Sequence, residues 1–139
     1  MRVGLCHGVF DILHFGHVRH FQAAREKCDR LIVSVTSDEF VNKGENRPVF
    51  SLEQRMAVIS AIRFVDEVIA SRSSNGINSL RQVSPAFYFK DIEYKDSAHP
   101  GFLAEKSFCE VNNIELILTE ELRSSSSEAL QRLRRASGG

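Results

Sequence analysis

Residues 8–17, Gly8-Val9-Phe10-Asp11-Ile12-Leu13-His14-Phe15-Gly16-His17, join the first two regular elements that the sequence predicts. Residues 2–6 before this loop are typical of a short buried strand, and residues 16–28 after it indicate a helix. A strand that passes through a glycine-bounded loop into a helix exposes unpaired backbone N–H groups, and the helix dipole favours negative charge at the same place. Gly8 allows the backbone to turn and to approach a ligand closely. We therefore expect an anion-binding site at this loop.

Two histidines stand at the mouth of this loop. His14 and His17 lie about one helical turn apart and are expected to point to the same side. Imidazoles beside an anion cradle indicate phosphate chemistry, although one ring could instead cap the helix or lie on its surface while the other is a satisfied core group. His14, His17 and His20 also have the spacing of a zinc face, but no clear carboxylate or cysteine partner accompanies them. His7 and His20 are expected to be bystanders.

Composition limits the class of protein and of partner. The chain has 139 residues, of which 42% are apolar, and its 18 basic and 18 acidic residues give a net charge of zero. This balance argues against nucleic acid and against an anionic membrane surface, so we expect a small partner. We expect no signal peptide, and no apolar run approaches the ~20 residues that span a bilayer. The three cysteines are widely spaced and are expected to be buried free thiols in a reducing cytoplasm.

The rest of the chain alternates between strand and helix patterns. Strands are predicted at 31–35, 65–70, 86–89 and 114–118. One helix is predicted to begin at a capping box of Ser51 and Gln54 and to end at about Arg63. A short helix is predicted to end at residue 83, and two further helices are predicted at 100–111 and at 128–135. This alternation predicts a single Rossmann-like α/β domain at 1–135, with a five-stranded, mostly parallel sheet flanked by helices, followed by a flexible tail at 136–139. No Gly-x-Gly-x-x-Gly follows the first strand, so a nicotinamide cofactor is not expected.

In such folds ligands bind beyond the carboxyl ends of the strands. Four segments are expected at that edge: the first loop, the segment after the second strand, the charged loop 90–99 and the serine run 124–127. Residues chosen for their chemistry are therefore expected to converge.

Residues 7–39, HGVFDILHFGHVRHFQAAREKCDRLIVSVTSDE, resemble the opening of the cytidylyltransferase-like nucleotidylyltransferases, whose hallmark is His-x-Gly-His. The likeness is greatest to the bacterial heptose-phosphate adenylyltransferases and the glycerol-3-phosphate cytidylyltransferases. It implies transfer of NMP from CTP or ATP to a phosphorylated sugar or polyol, of the heptose 1-phosphate or glycerol 3-phosphate type, with release of pyrophosphate. It also implies Mg²⁺ bridging the triphosphate, with no protein ligand expected for the metal, and a homodimer.

The resemblance also assigns roles to residues. His14, His17 and Lys43 are the implied catalytic set, and Lys43 lies in a segment similar to the Lys-Gly-x-x-Arg-Pro of the heptose-phosphate enzymes. Lys90 and Tyr94 are expected to hold the phosphate of the second substrate. Their segment, Lys-Asp-Ile-Glu-Tyr, is similar to the Lys-Gly-x-Asp-Tyr of the same enzymes, with aspartate in place of glycine. The nucleotide is expected to contact Gly8, Val9, Phe10, Asp11, Asp38, Arg63, Arg123, Ser124, Ser125 and Ser126.

Several of these residues have a second interpretation. Asp11 is expected to brace the loop through backbone N–H groups. Asp38 either orients a basic residue, with Arg55 as a candidate, or serves the helix that follows. Arg63 opens a stretch similar to the Arg-Tyr-Val-Asp-Glu-Val of the cytidylyltransferases, or else forms a surface salt bridge with Asp66 or Glu67. The serine run, which stands in the place of the family's Ser-Thr-Thr signature, either binds the β- and γ-phosphates or is a plain helix N-cap.

The sequence leaves the nucleotide base open. Residues 43–55 and 90–94 resemble the ATP users, whereas residues 63–68 resemble the CTP users. The altered segments at 90–94 and 123–127 also favour an alternative of another class, a catalytically weak nucleotide-binding sensor of the same fold. A flavodoxin-like electron-transfer or receiver domain is a weaker alternative, because that fold has no need of His14 and His17.

Overall fold

The computed structural model describes residues 1–120. Five strands and four α-helices alternate along them: β1 (Val3–Gly8), α1 (Phe15–Glu26), β2 (Arg30–Thr36), α2 (Leu52–Ser60), β3 (Glu67–Ser71), α3 (Ile77–Val83), β4 (Phe87–Asp91), α4 (Pro100–Val111) and β5 (Glu115–Thr119). Two short 3₁₀ helices, Asp38–Phe40 and Ile92–Tyr94, follow β2 and β4. The predicted α/β class is confirmed, and the two 3₁₀ helices were not predicted.

All five strands are parallel, in the order β3-β2-β1-β4-β5. The chain winds outward from β1 in one direction through β2 and β3, and in the other direction through β4 and β5. Strand order therefore reverses between β1 and β4, and in open α/β sheets this is the place where ligands bind. The loop at 8–17 leaves β1 at this point.

The core has two layers, one on each face of the sheet. Phe21 of α1 and Ile59 of α2 pack with β-strand residues on one face, and Leu80 of α3 and Cys109 of α4 pack on the other. β2 is covered on both faces, and every residue from Leu31 to Thr36 is buried. This explains why its sequence is a nearly continuous β-branched run rather than an alternating one.

Several element boundaries differ from the prediction by two or three residues, and β3 begins at Glu67 rather than at residue 65. α2 ends at Ser60 rather than near Arg63, and the following turn is held at the amino-terminal edge of the sheet. Asp66 holds it there, because its Oδ2 accepts the backbone N–H of Leu31 at 2.7 Å and pairs with the Arg25 Nε at 2.9 Å. The helix predicted at 128–135 and the domain limit at 135 lie outside the described residues.

Two further expectations can be compared with residues 1–120. The three cysteines are all free and buried, as predicted. Within this part of the chain, none of the helices combines the length and the apolar character needed to cross a bilayer.

Candidate active site

His14 and His17 form the N-terminal cap of α1. The His14 Nδ1 accepts the backbone N–H of Gly16 at 2.9 Å, and the His17 Nδ1 accepts the backbone N–H of His14 at 3.2 Å. The two ring centroids are 4.2 Å apart. A neutral imidazole that accepts through Nδ1 carries its proton on Nε2. The cap therefore gives both rings the same tautomer, and each ring keeps an Nε2–H group to donate.

The environment of His17 keeps its ring neutral. Burial, with smaller contributions from His14 and Lys43, lowers the pKa of His17 from its ordinary 6.5 to about 4. The ring also meets the Phe10 ring edge-on, at a centroid distance of 5.9 Å. Near pH 7 His17 is therefore a hydrogen-bond donor rather than a cation. Donation of a neutral N–H requires no proton to be gained or lost.

Asp11 fixes the loop through residues far along the chain. Its buried carboxylate accepts the backbone N–H groups of Val49 at 2.7 Å and Phe50 at 2.9 Å, and pairs with the Arg47 Nε at 2.7 Å. Burial alone raises the pKa of this carboxyl, but the hydrogen bonds from Phe50, Val49 and Arg47 outweigh burial, and the net shift is downward. The expected bracing through backbone N–H groups describes this geometry, with donors from segment 47–50 rather than from the loop itself.

Arg55 is the second brace of the site, and it is only 1% exposed. Its guanidinium donates to the carbonyl oxygens of Val9 and Thr36, each at 2.8 Å, and to that of Phe50 at 3.0 Å. It also pairs with Asp38 Oδ1 at 2.6 Å. The carboxyl ends of β1 and β2 are thus tied to the start of α2. Of the two interpretations of Asp38, pairing with Arg55 is the one that the geometry matches. Arg55 itself lies in the interior of the protein.

A cavity of about 580 Å³ opens beside the loop, beyond the carboxyl ends of β1 and β4. Gly8 and Val9 line it on one side together with Lys43. Lys90 and Tyr94 line the other side. The cavity therefore has a cation from each of two different segments. Such a pair can hold a phosphate group while the neighbouring backbone approaches the ligand closely.

Lys90 is held in place by its neighbours. Its Nζ lies 4.5 Å from the centre of the Tyr94 ring and 3.6 Å from Glu105 Oε1, and its side chain is 11% exposed. The Tyr94 ring in turn packs against Phe102, with centroids 5.1 Å apart. Asp91, which stands where the heptose-phosphate enzymes have glycine, has φ −73°. The backbone there does not need the left-handed conformation for which glycine is favoured.

The two remaining histidines of the β1–α1 region face inward. The His7 Nδ1 lies 2.6 Å from the Ser34 Oγ, and the His20 Nδ1 lies 2.6 Å from the Thr119 Oγ1. Burial is the main cause that lowers the pKa of His7 to about 3 and that of His20 to about 4. Within residues 1–120, no group of three or more histidine, cysteine, aspartate or glutamate side chains is arranged to hold a metal ion. The zinc face is therefore not formed there.

Arg63 is not brought to this edge within the chain. It is exposed, and its guanidinium lies over the Phe64 ring at 5.9 Å. Because α2 has already carried the chain back to the amino ends of the strands, Arg63 lies on the opposite edge from His14 and His17. The alternative salt bridge does not form either, since Asp66 pairs with Arg25 and Glu67 with Arg30. Arg123 and Ser124, Ser125 and Ser126 lie outside the described residues.

The comparison with protein families agrees with this geometry. The cytidylyltransferase-like family matches residues 5–120, which include the loop, both braces and the cavity. The chain belongs to the cytidylyltransferase-like family. Membership makes it a nucleotidyltransferase domain, a class to which the paired histidine donors and the two cavity lysines are chemically suited.

Curated relatives of this cytidylyltransferase-like domain include two bacterial proteins named bifunctional protein HldE. The protein from Gluconacetobacter diazotrophicus is 43% identical over 97 residues, which are 68% of this chain and 20% of that protein. The protein from Photorhabdus laumondii is 45% identical over 102 residues, which are 72% of this chain and 22% of that protein. The chain thus spans about a fifth of the length of the curated relatives it matches.

Solved structures share the fold at lower identity. The lipopolysaccharide core biosynthesis protein from Thermoplasma volcanium superposes with a TM-score of 0.71 at 22% identity, covering 86% of this chain and 98% of that one. Pantothenate synthetase from Thermus thermophilus superposes with a TM-score of 0.62 at 17% identity, covering 86% of this chain and 56% of that one. These likenesses support the Rossmann-like arrangement of the cytidylyltransferase-like domain.

The burial of two charged residues of the site was not predicted from the sequence. Arg55 stands between Leu52 and Ile59 on α2, and Glu105 stands between Phe102 and Cys109 on α4, at the spacing of each helix's buried stripe. A charge at a core position of an amphipathic helix needs a partner. That mismatch was the available signal.

Proposed function

We propose that this domain transfers a nucleoside monophosphate from CTP or ATP to the phosphate of a small phosphorylated sugar or polyol. An oxygen of the acceptor phosphate attacks the α-phosphorus and forms a new P–O bond. The bond from the α-phosphorus to the bridging oxygen breaks, and pyrophosphate leaves with the electron pair. The observation that carries the proposal is the histidine cap, which leaves the Nε2–H groups of His14 and His17 free to donate. His17 interacts electrostatically with Lys43, and Lys43 lines the same cavity as Lys90.

The histidines and the helix end would stabilise the transition state. Negative charge grows on the α-phosphoryl oxygens and on the leaving group, so fixed donors help more in the transition state than in the bound substrate. His14 and His17 supply such donors without a proton transfer, and Lys43, from the segment between β2 and α2, adds positive charge near His17. Gly8, Val9, Phe10 and Asp11 form the loop against which the nucleotide would lie.

The cavity would hold the acceptor. Lys90 would bind its phosphate, and Tyr94 would border the same subsite. Heptose 1-phosphate and glycerol 3-phosphate are the acceptor types that the sequence resemblance implies. Arg63, and Arg123 with Ser124, Ser125 and Ser126, remain proposed nucleotide contacts; for Arg63 the role requires an arrangement beyond the single described chain.

Mg²⁺ would enter with the triphosphate. Asp11 and Asp38, two carboxylates that follow β1 and β2 at this edge of the sheet, are both paired with arginines. This donor set fits a metal held by phosphate oxygens rather than by a cage of protein ligands. When bound, the metal neutralises charge on the phosphates; Lys43 and the histidines orient them.

A homodimer in the cytoplasm completes the proposal. Exposed apolar side chains line another cavity, of about 500 Å³, at the start of α2. They include Ile12, Phe50 and Val58, which are 56%, 44% and 54% exposed. An apolar group of this kind supports association with a second copy.

A nucleotide-by-acceptor matrix tests the proposed reaction. CTP or ATP would be combined with heptose 1-phosphate, mannose 1-phosphate or glycerol 3-phosphate in the presence of Mg²⁺, and pyrophosphate release would be measured. We expect release with at least one pair and none with the His14→Ala/His17→Ala variant. Tight nucleotide binding without release for any pair would favour the sensor instead.

A further inference from the structure

Glu105 is a buried carboxylate that the proposed reaction does not use. It lies on α4, is 3% exposed, and faces the carboxyl end of β4. Its Oε2 accepts the backbone N–H of Gly76 at 2.6 Å. Its Oε1 accepts no hydrogen bond from the described residues, and the Lys90 Nζ lies 3.6 Å away. One carboxylate thus spans three segments: α4, the loop before α3 and the end of β4.

The hydrogen bond to Gly76 does not explain the charge of Glu105. A neutral amide oxygen would accept that N–H group equally well, and burial of an ionised carboxylate is costly unless a cation compensates it. The compensating cation is Lys90, whose side chain is itself 11% exposed. The negative charge of Glu105 therefore serves to pair with the Lys90 ammonium, whereas the contact with the Gly76 loop needs only an acceptor oxygen.

The loop side of this contact is packed too closely to adjust. A Cβ built on Gly76 would collide with the hydroxyl of Tyr88 and would lie 3.1 Å from Glu105 Oε2. The Tyr88 hydroxyl is buried beside Glu105: burial first, and then the Glu105 carboxylate, raise the pKa of Tyr88. Gly76 and Tyr88 therefore fix the position of the Glu105 carboxylate, and its Oε1 is a fixed partner for the flexible Lys90 side chain.

We propose that Glu105 is a positioning residue: it fixes the Lys90 ammonium over the Tyr94 ring, at the cavity where the acceptor phosphate binds. The inference rests on the proposed function. A lysine side chain has four rotatable bonds and loses rotamer entropy when it is fixed. Glu105 and Tyr94 impose that order before the acceptor arrives. The ligand class is a phosphate monoester, and the carboxylate stays behind the ammonium, with its Oε1 buried.

A double-mutant cycle tests this role. Glu105→Gln keeps an acceptor for Gly76 and removes the charge, and Lys90→Met removes the ammonium. Binding of glycerol 3-phosphate and of inorganic phosphate to the full chain would be measured by calorimetry without nucleotide. We expect each single variant to weaken binding about tenfold, and the double variant to weaken it about tenfold rather than about a hundredfold, because the two residues act as one unit. Glu110→Gln, an exposed position on the same helix, should leave binding unchanged.

Two results would overturn the inference: unchanged binding in Glu105→Gln, or the same loss from Glu105→Gln whether or not Lys90 is present. If Glu105→Gln does not fold, Glu105→Asp, which keeps the charge at a shorter reach, replaces it in the same cycle. Where an acceptor is turned over, Glu105→Gln should raise the KM for the acceptor and leave the KM for the nucleotide unchanged. Non-additive phosphate binding without turnover for any acceptor would sink the proposed reaction alone. Turnover with additive binding would sink only the role of Glu105.

Discussion

Two replacements of His17 distinguish its role in the helix cap from its role as a hydrogen-bond donor to a ligand. Its Nδ1 accepts the His14 N–H at 3.2 Å in the helix cap, whereas its Nε2–H is left for a ligand. His17→Ala removes both contacts. His17→Gln restores the cap, because glutamine is a normal partner at the third position of a capping box, but it removes the ring donor. The two variants should therefore differ in stability and share a loss of activity.

The sizes of the two effects follow from the geometry. The cap bond is long and only partly buried, so its loss should lower the free energy of unfolding by no more than about 1 kcal/mol. A preorganised donor to a developing oxyanion is worth ~3–4 kcal/mol of barrier, a loss of about 10²–10³ in kcat. We expect His17→Ala to lose both amounts and His17→Gln to lose only the second.

The assay pairs urea unfolding with the pH dependence of pyrophosphate release. Because the pKa of His17 is lowered to about 4, its ring is neutral in the free enzyme throughout the range from pH 5.5 to 8. The pH profile of kcat/KM should therefore have the same shape near pH 6.5 in the unsubstituted protein and in His17→Gln, because His17 does not titrate there. Activity of His17→Gln within a few-fold of the unsubstituted protein, or a difference in shape between the two profiles near pH 6.5, would refute the reasoning.

Three further outcomes are expected. Arg55→Met leaves three carbonyl oxygens without their donor and should lower the free energy of unfolding by about 3–5 kcal/mol in urea titrations; a loss below 1 kcal/mol would contradict the brace. The pKa values of His7 and His20 are lowered to about 3 and about 4 in the folded protein, so below pH 6.5 the unfolded chain binds protons at these residues that the folded protein does not. Stability should therefore be complete above pH 6.5 and fall on acidification, by about 2 kcal/mol per histidine at pH 5, with His20→Gln flattening the slope. If a dimer forms, Val58→Glu should shift it to monomer in sedimentation velocity, whereas Val111→Glu, also exposed, should not.

The sequence was most informative where the pattern is local. The capping box at Ser51 and the buried run of β2 each depend on residues a few positions apart, and the structure has both. The cap formed by His14 and His17 appeared only as an alternative for one of the two rings. Alternation of these patterns was sufficient to predict the α/β class and the parallel sheet.

Long-range partners were beyond reach of the sequence. The partners of Asp11 lie 36 to 39 positions after it in the chain, and Gly76, which donates to Glu105, lies 29 positions before that residue. No local preference encodes such pairs, because they exist only once the sheet has brought the segments together. Arg63 is a different case: a helix between two parallel strands ends at the amino edge of the sheet wherever its last residue falls, so topology alone separates Arg63 from His14 and His17, whereas the motif resemblance placed them together.

The most direct test of the central idea is ¹⁵N NMR of the histidine rings, recorded with and without a non-hydrolysable CTP or ATP analogue and Mg²⁺. We expect His14 and His17 to carry their protons on Nε2 in the free protein and these N–H signals to shift on addition of the analogue. The ring of His20, hydrogen-bonded to Thr119 in the interior, is the internal control and should change little. Protons on Nδ1, or shifts at His14 and His17 no larger than that at His20, would contradict the account.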